Sequence, residues 1–325
     1  MILAYLEYAA TYYRRPDGTS TNEIALVKLV SRPVRELYGN LPADEFGPLT
    51  LLATRERFIS FGWSRRTVNQ QVDRLRRIFR WGTERELVTG GVYQALAALS
   101  PLKAGRCSAP ESVPVKPADP VIVAATLAFL NRHVRTMILL QQLTGMRPGE
   151  VCRMRLIEID RTSEQGTYRP ARHKSQHRGK CRTIMIGPRG RGVLEEFLAE
   201  GGVVDPSAPL FSPWRAREAM YALLRAKRKT KVQPSQVDRR TPNARKLAAQ
   251  YSVNAYALAI RRAAERAGME HWHPNQLRHL FASEVRRGHG LEAAQVLLGH
   301  ARADVTQVYA ERNKEFAANV AAKIG

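Results

Sequence analysis

The chain is short of cysteine, short of acidic residues and without a long apolar run, and each shortage removes a class of protein. Its three cysteines, Cys107, Cys152 and Cys181, are scattered, with no metal-ligand spacing and no even-numbered disulfide framework. They are expected as reduced thiols in a cytosolic protein. The apolar stretch Met137–Leu143 is interrupted by Gln141 and Gln142 and falls well short of the roughly 20 residues that cross a bilayer. Met1–Tyr13 lacks the basic start and apolar core of a secretory signal, so a cytoplasmic location is expected. No internal repeat and no long low-complexity segment is visible.

Acidic residues number 29 against 52 lysines and arginines, a net charge of +23. Such an excess costs self-repulsion in the folded state and points to a polyanionic partner. An anionic membrane surface would favour one amphipathic basic helix or a polybasic tail. Here the basic residues recur along the whole chain, as in a protein that wraps a duplex. With 325 residues, 44% of them hydrophobic and 25% charged, the chain has room for two folded domains.

Apolar residues at helical spacing run through Leu3–Tyr13, Ile24–Leu37, Leu49–Phe61, Thr67–Trp81 and Val92–Leu99. Turn chemistry separates them at Pro16-Asp17-Gly18, Gly39, Gly47-Pro48 and Gly90-Gly91. This predicts an all-α domain over residues 1–100. Within Ser64–Arg85, arginines including Arg65, Arg66, Arg74 and Arg77 share a helix with an apolar stripe, and with this net charge a phosphate-facing helix is expected. Residues 101–120 carry five prolines and no periodicity, the composition of an extended linker. The second domain, 121–325, opens with helices around Val121–Asn131 and Val134–Leu143. A small β region follows, from Leu156–Ile159 through Thr167–Arg169 to Thr183–Ile186, and helices then resume, among them Gly190–Leu198, Val253–Ala267, Asn275–Arg287, Leu291–Leu298 and Asp304–Ala310. A basic insertion near 215–246, with Lys227, Arg228 and Lys229, reads as a DNA-backbone contact. A last helix, 314–325, carries Phe316, Val320 and Ile324 as a stripe that wants burial, on its own domain or on a neighbouring subunit.

Four pieces of the second domain stand out. They are Thr144-Gly145-Met146-Arg147-Pro148-Gly149-Glu150, His173-Lys174, Asn275-Gln276-Leu277-Arg278-His279, and Leu298-Gly299-His300 with Tyr309 nine positions later. In this order they resemble the tyrosine recombinase (phage integrase) family. That family has Arg in T-G-x-R-x-x-E, Lys on a β-hairpin, H-x-x-R, then L-G-H and Tyr. The resemblance implies a mainly α fold: an all-α, SAM-like core-binding domain and an integrase-type catalytic domain with a small antiparallel sheet, together a C-shaped clamp on DNA.

It also implies roles. Arg147 and Arg278 would clamp the scissile phosphate, as suits a planar guanidinium that stays charged. Lys174, or Lys180 since the hairpin register is open, would protonate the departing 5′ oxygen. His300 would bond a phosphate oxygen or orient the site. Tyr309 would attack phosphorus, storing the bond as a 3′-phosphotyrosyl link. Glu150 reads as a structural partner that fixes an arginine. Asn275 stands where the family usually has His. It can hydrogen-bond but cannot accept the tyrosine proton as imidazole can. His279 points away from Arg278 around the helix and reads as structural, and His271-x-His273 lacks a third ligand at zinc-like spacing.

No cofactor and no metal is expected. The partners implied are double-stranded DNA, a homo-oligomer on DNA in a tetrameric synapse, and accessory DNA-bending factors, with no membrane and a nucleoid-associated location. The rival readings are a type IB topoisomerase-like enzyme, a catalytically silent DNA-binding relative and, least favoured, a membrane-associated basic protein.

Overall fold

The computed structural model describes residues 1–15, 17–162, 165–172, 181–201, 205–231 and 247–299. The chain forms two compact units, Met1–Pro114 and the remainder from Val115. No helix among the described residues is long and apolar enough to cross a membrane.

The first unit is built from α1 (Ile2–Tyr12), α2 (Glu23–Tyr38), α3 (Pro48–Ser60), α4 (Arg65–Thr83) and α5 (Gly90–Ala97). α4 starts where Ser64 caps it, its hydroxyl accepting from the Thr67 N–H. Val68, Val72, Leu75, Ile78 and Phe79 form its buried stripe and meet Tyr5, Val27, Leu51 and Phe58 in one core. The proline-rich stretch is anchored at its start. The Leu102 N–H donates to Asn69 Oδ1 at 2.9 Å, the Arg65 N–H donates to the Pro110 carbonyl at 2.9 Å, and Arg65 pairs with Glu111.

In the second unit α6 (Pro120–Leu127) and α7 (Arg132–Thr144) are capped by Asp119 and Asn131, whose side chains accept from the N–H groups of Val121 and Val134. There follow α8 (Pro148–Arg153), β1 (Ile159–Asp160), β2 (Gly166–Tyr168), β3 (Ile184–Ile186), α9 (Pro188–Ala199), α10 (Pro213–Ala226), α11 (Val253–Ala267) and α12 (Pro274–Leu298). The strands form an antiparallel sheet in the order β1-β2-β3, with Tyr168 opposite both Ile159 and Ile184. α7 packs against α8, α9, α10, α11, α12 and β3 and is buried on most of its circumference. Gln141, fully buried on it, gives its amide to the Met146 carbonyl at 2.8 Å.

One local departure from the sequence expectation has a physical cause. Leu156–Glu158 is a 3₁₀ turn rather than the start of a strand. There the Glu158 carboxylate accepts the N–H groups of Arg155 and Ala171, a local bonding pattern that competes with a ladder. The break expected between Asn275–Arg287 and Leu291–Leu298 falls within α12 at Gly290, whose φ of 85° and ψ of 175° only glycine adopts without strain.

His133 makes this unit sensitive to acid. Its ring packs edge-on against Phe197 at 5.0 Å, and its Nδ1 accepts the Ser212 N–H. Burial, aided by the Arg215 and Arg132 charges, pulls its pKa down to about 4. The unfolded chain then binds a proton that the folded one refuses, so stability is lost as pH falls below the ordinary histidine value and is fully lost only below the folded one. The expected loss between pH 7 and pH 5 is about 2 kcal/mol. His133→Asn, which keeps an acceptor and does not titrate, should flatten that slope in urea unfolding. An unchanged slope would clear His133 of the effect.

Candidate active site

The site begins at the end of α7. Gly145 terminates that helix in the left-handed region, at φ 62°, and its N–H donates back to the Gln141 carbonyl at 2.9 Å. The Phe281 ring of α12 covers the glycine so closely that a Cβ there would overlap it. Thr144 steadies the turn, its hydroxyl donating to the Leu140 carbonyl at 2.6 Å and accepting the Met146 N–H. Gly145→Ala therefore meets both a left-handed backbone and a ring in the way. It is expected to cost about 2–4 kcal/mol in urea unfolding, and a wild-type midpoint would contradict this packing.

The chain then restarts as a helix. Pro148 occupies the first position of α8, where its missing N–H costs nothing. Glu150, only 2% exposed at its side chain, reaches back to Arg147 twice. Its Oε2 accepts the Arg147 N–H at 2.7 Å and its Oε1 accepts the guanidinium at 3.1 Å. Arg147 is thus gripped at backbone and side chain, while 27% of its side chain stays accessible.

Arg278, one turn into α12, is fully buried. It donates to the Gly145 carbonyl at 2.6 Å and to the Leu298 carbonyl at 2.8 Å. Carbonyls at a helix C-terminus lack intrahelical donors and carry partial negative charge, so a guanidinium placed there satisfies both needs. Arg278 consequently ties the turn before Arg147 to the end of α12. Asn275 is half-buried and precedes Arg278 by three residues, on the same face of the helix. His279 is buried. His271 and His273 meet edge-on at 4.4 Å, and no third metal-ligating side chain joins them among the described residues.

A third arginine enters that the sequence reading did not single out. Arg182, just ahead of β3, is 8% exposed and lies with Nε 3.7 Å from Glu150 Oε1. It donates to the Leu297 carbonyl at 3.4 Å. Burial, together with the neighbouring Arg147 charge, lowers its pKa, and Glu150 opposes that shift. Nothing local in the sequence marks Arg182, because its partners lie far from it along the chain. Of the other expected site residues, Lys174 and its alternative Lys180, His300 and Tyr309 lie outside the described residues, as does the last helix, 314–325.

The sequence model of the phage integrase family matches residues 122–315. The chain belongs to the phage integrase family. It is a tyrosine-type site-specific recombinase by that membership, and its mainly helical fold with a small antiparallel sheet is the integrase one. A tyrosine recombinase XerD from Ralstonia nicotianae is 24% identical over 252 residues, covering 77% of this chain and 70% of that protein. A tyrosine recombinase XerC from Xylella fastidiosa is 39% identical over 71 residues, 21% of this chain and 24% of that one. Among solved structures, a lambda integrase(75–356) dimer bound to a COC′ core site superposes with a TM-score of 0.66 at 14% identity, covering 96% of this chain and 94% of that one. A XerH site-specific recombinase bound to a palindromic difH substrate gives 0.64 at 14% identity, covering 99% and 94%.

In this integrase-family chain the arginines of α4 have partners within their own unit. Arg74, 11% exposed at its side chain, pairs with Glu23 of α2 through two bonds of 2.8 and 3.1 Å. Arg77 shares that carboxylate at 2.9 Å, and the Arg74 hydrogen bond first among several causes holds Glu23 below the usual carboxylate range. Arg74 ties α4 to α2. Arg65 is engaged by Glu111, whereas Arg66 is exposed and has no partner among the described residues. Lys227, Arg228 and Lys229, past the end of α10, are exposed, and residues 232–246 of the basic insertion lie outside the described residues.

Proposed function

We propose that this integrase-family chain binds double-stranded DNA and exchanges strands at a specific site through a 3′-phosphotyrosyl intermediate, in the integration, excision or resolution of a DNA element. The observation that carries the reading is the convergence of two arginines on one turn, Arg147 leaving it and Arg278 bonded to its Gly145 carbonyl. A phosphodiester is inert, and its cleavage is accelerated chiefly by positioning and by charge placed where charge develops. Two guanidiniums held against the same turn suit that task.

In this reading Tyr309 attacks phosphorus and loses its phenol proton to solvent. The bond to the 5′ oxygen breaks, and Lys174, or Lys180, gives that oxygen its proton. Attack by the 5′ hydroxyl of a second strand, whose proton returns to the lysine, then breaks the phosphotyrosyl bond, and the released Tyr309 oxygen takes its proton back from solvent. His300 and Asn275 hydrogen-bond the phosphate, with Asn275 having no part as a base. Arg65, Arg66, Arg74, Arg77, Lys227, Arg228 and Lys229 contribute backbone contacts to the duplex. Strand exchange takes place in a synaptic tetramer at the nucleoid, with accessory DNA-bending factors.

The test uses nicked fragments from the source genome as suicide substrates. A covalent protein–DNA adduct is expected on a denaturing gel, and protease mapping should place the attached nucleotide on the peptide containing Tyr309. Affinity should fall steeply with salt, with a log–log slope of about −0.9 for each phosphate contacted. Tight, salt-sensitive binding with no adduct would leave a DNA-binding protein without the chemistry.

A further inference from the structure

We infer that Arg182 is a positioning residue for the strand-transfer site, acting through Glu150 on Arg147 and through Leu297 on the segment that leads to His300. The inference rests on the proposed function and adds a residue that the four sequence motifs do not contain.

The geometry is a chain of three charges centred on the buried Glu150. Glu150 Oε1 accepts from Arg147 at 3.1 Å and faces Arg182 Nε at 3.7 Å from another direction. Two cations and one anion leave the group with one net positive charge. Without Arg182, Arg147 and Glu150 form a neutral pair, and the attraction of Arg147 for a phosphate falls accordingly. The same guanidinium donates to the Leu297 carbonyl at 3.4 Å, beside the Leu298 carbonyl that Arg278 holds. Two buried arginines thus occupy adjacent carbonyls at the end of α12, where the helix presents its negative pole.

Gly299 records the same contact. It closes α12 at φ 63°, and a Cβ there would run into the Arg182 guanidinium. The L-G-H glycine is therefore required twice, by its backbone and by the arginine lying on it. Arg182 also lies just ahead of β3, two positions after Lys180 in the sequence. Its partners are the R-x-x-E turn and the L-G-H segment, so one side chain joins two of the four pieces.

The experiment compares wild type with Arg182→Met, which keeps bulk and loses charge, and Arg182→Lys, which keeps charge and loses the fork. Single-turnover cleavage of a suicide DNA is expected to slow about 50-fold in Arg182→Met and less in Arg182→Lys, with DNA affinity changed by less than about threefold. In a Glu150→Gln background, Arg182→Met should add less than about threefold, since two residues acting through one contact are not additive. Full additivity, or an unchanged cleavage rate in Arg182→Met, overturns the inference. Amide hydrogen exchange supplies a readout that needs no cleavage. The Arg147 amide, bound to Glu150, and the Gly299 amide should both exchange faster in Arg182→Met, by about tenfold. If either keeps its wild-type rate, Arg182 does not join the two segments. Absence of an adduct in wild type, with these exchange changes present, would instead count against the proposed chemistry alone.

Discussion

Tyr309→Phe is expected to form no covalent adduct with DNA while folding and binding DNA as the wild type does. In the proposed reaction, removing one oxygen takes away the nucleophile and leaves the ring. With that hydroxyl gone, no adduct is expected, and single-turnover cleavage should fall by about 10⁴-fold or more. The arginines, which do not depend on that hydroxyl, keep their hold on the phosphate. The dissociation constant should stay within about twofold. The comparison requires a denaturing gel for the adduct, a binding titration at fixed salt and a thermal unfolding curve for both proteins. The chain contains 11 tyrosines, so an adduct that persists in Tyr309→Phe would move the nucleophile to another of them.

The second large effect belongs to Arg278, and it divides into chemistry and stability. Its guanidinium reaches two carbonyls, of Gly145 and Leu298, from a position with no solvent exposure. The lysine of Arg278→Lys keeps a charge but has no planar fork to span both. At least one buried carbonyl loses its donor, at a cost of about 1–3 kcal/mol, and cleavage should fall by about 10³-fold as the phosphate loses a fixed cation. Arg147→Ala supplies the contrast. Its side chain is partly open to solvent, and Glu150 keeps both the residue-147 N–H and the nearby Arg182. A comparable loss of cleavage is expected there with under about 1 kcal/mol of lost stability. Urea unfolding beside single-turnover cleavage tests the pair of variants. If both lose stability equally, or if Arg278→Lys keeps its wild-type midpoint, the burial of Arg278 has no energetic consequence and the account is wrong.

The helices were legible because they are written at short range. The α4 stripe from Val68 to Phe79 repeats at helical spacing, and α11 runs over Val253–Ala267 as its pattern predicts. The Glu150 hold on Arg147 was legible for the same reason, since both bonds span three residues and belong to the first turn of a helix. Gly145 could likewise be read as a helix stop. The four motifs were enough to name the family because, although no single one is diagnostic, four local arrangements in this order are hard to obtain by accident.

What the sequence by itself determined, then, is which residues can carry charge to a phosphate and which short segments present them. Only the tertiary structure decided what each arginine does. Arg74 and Arg66 are the same residue type on one helix, yet Arg74 is bound by Glu23 from 51 positions away while Arg66 stays exposed. Arg278 finds the Gly145 carbonyl across 133 positions, and Arg182 finds that of Leu297 across 115. A guanidinium offers the same five donors to a carboxylate, a helix end or a phosphate. Which of these it meets is set by how distant segments pack, and by how much water that packing leaves around the charge.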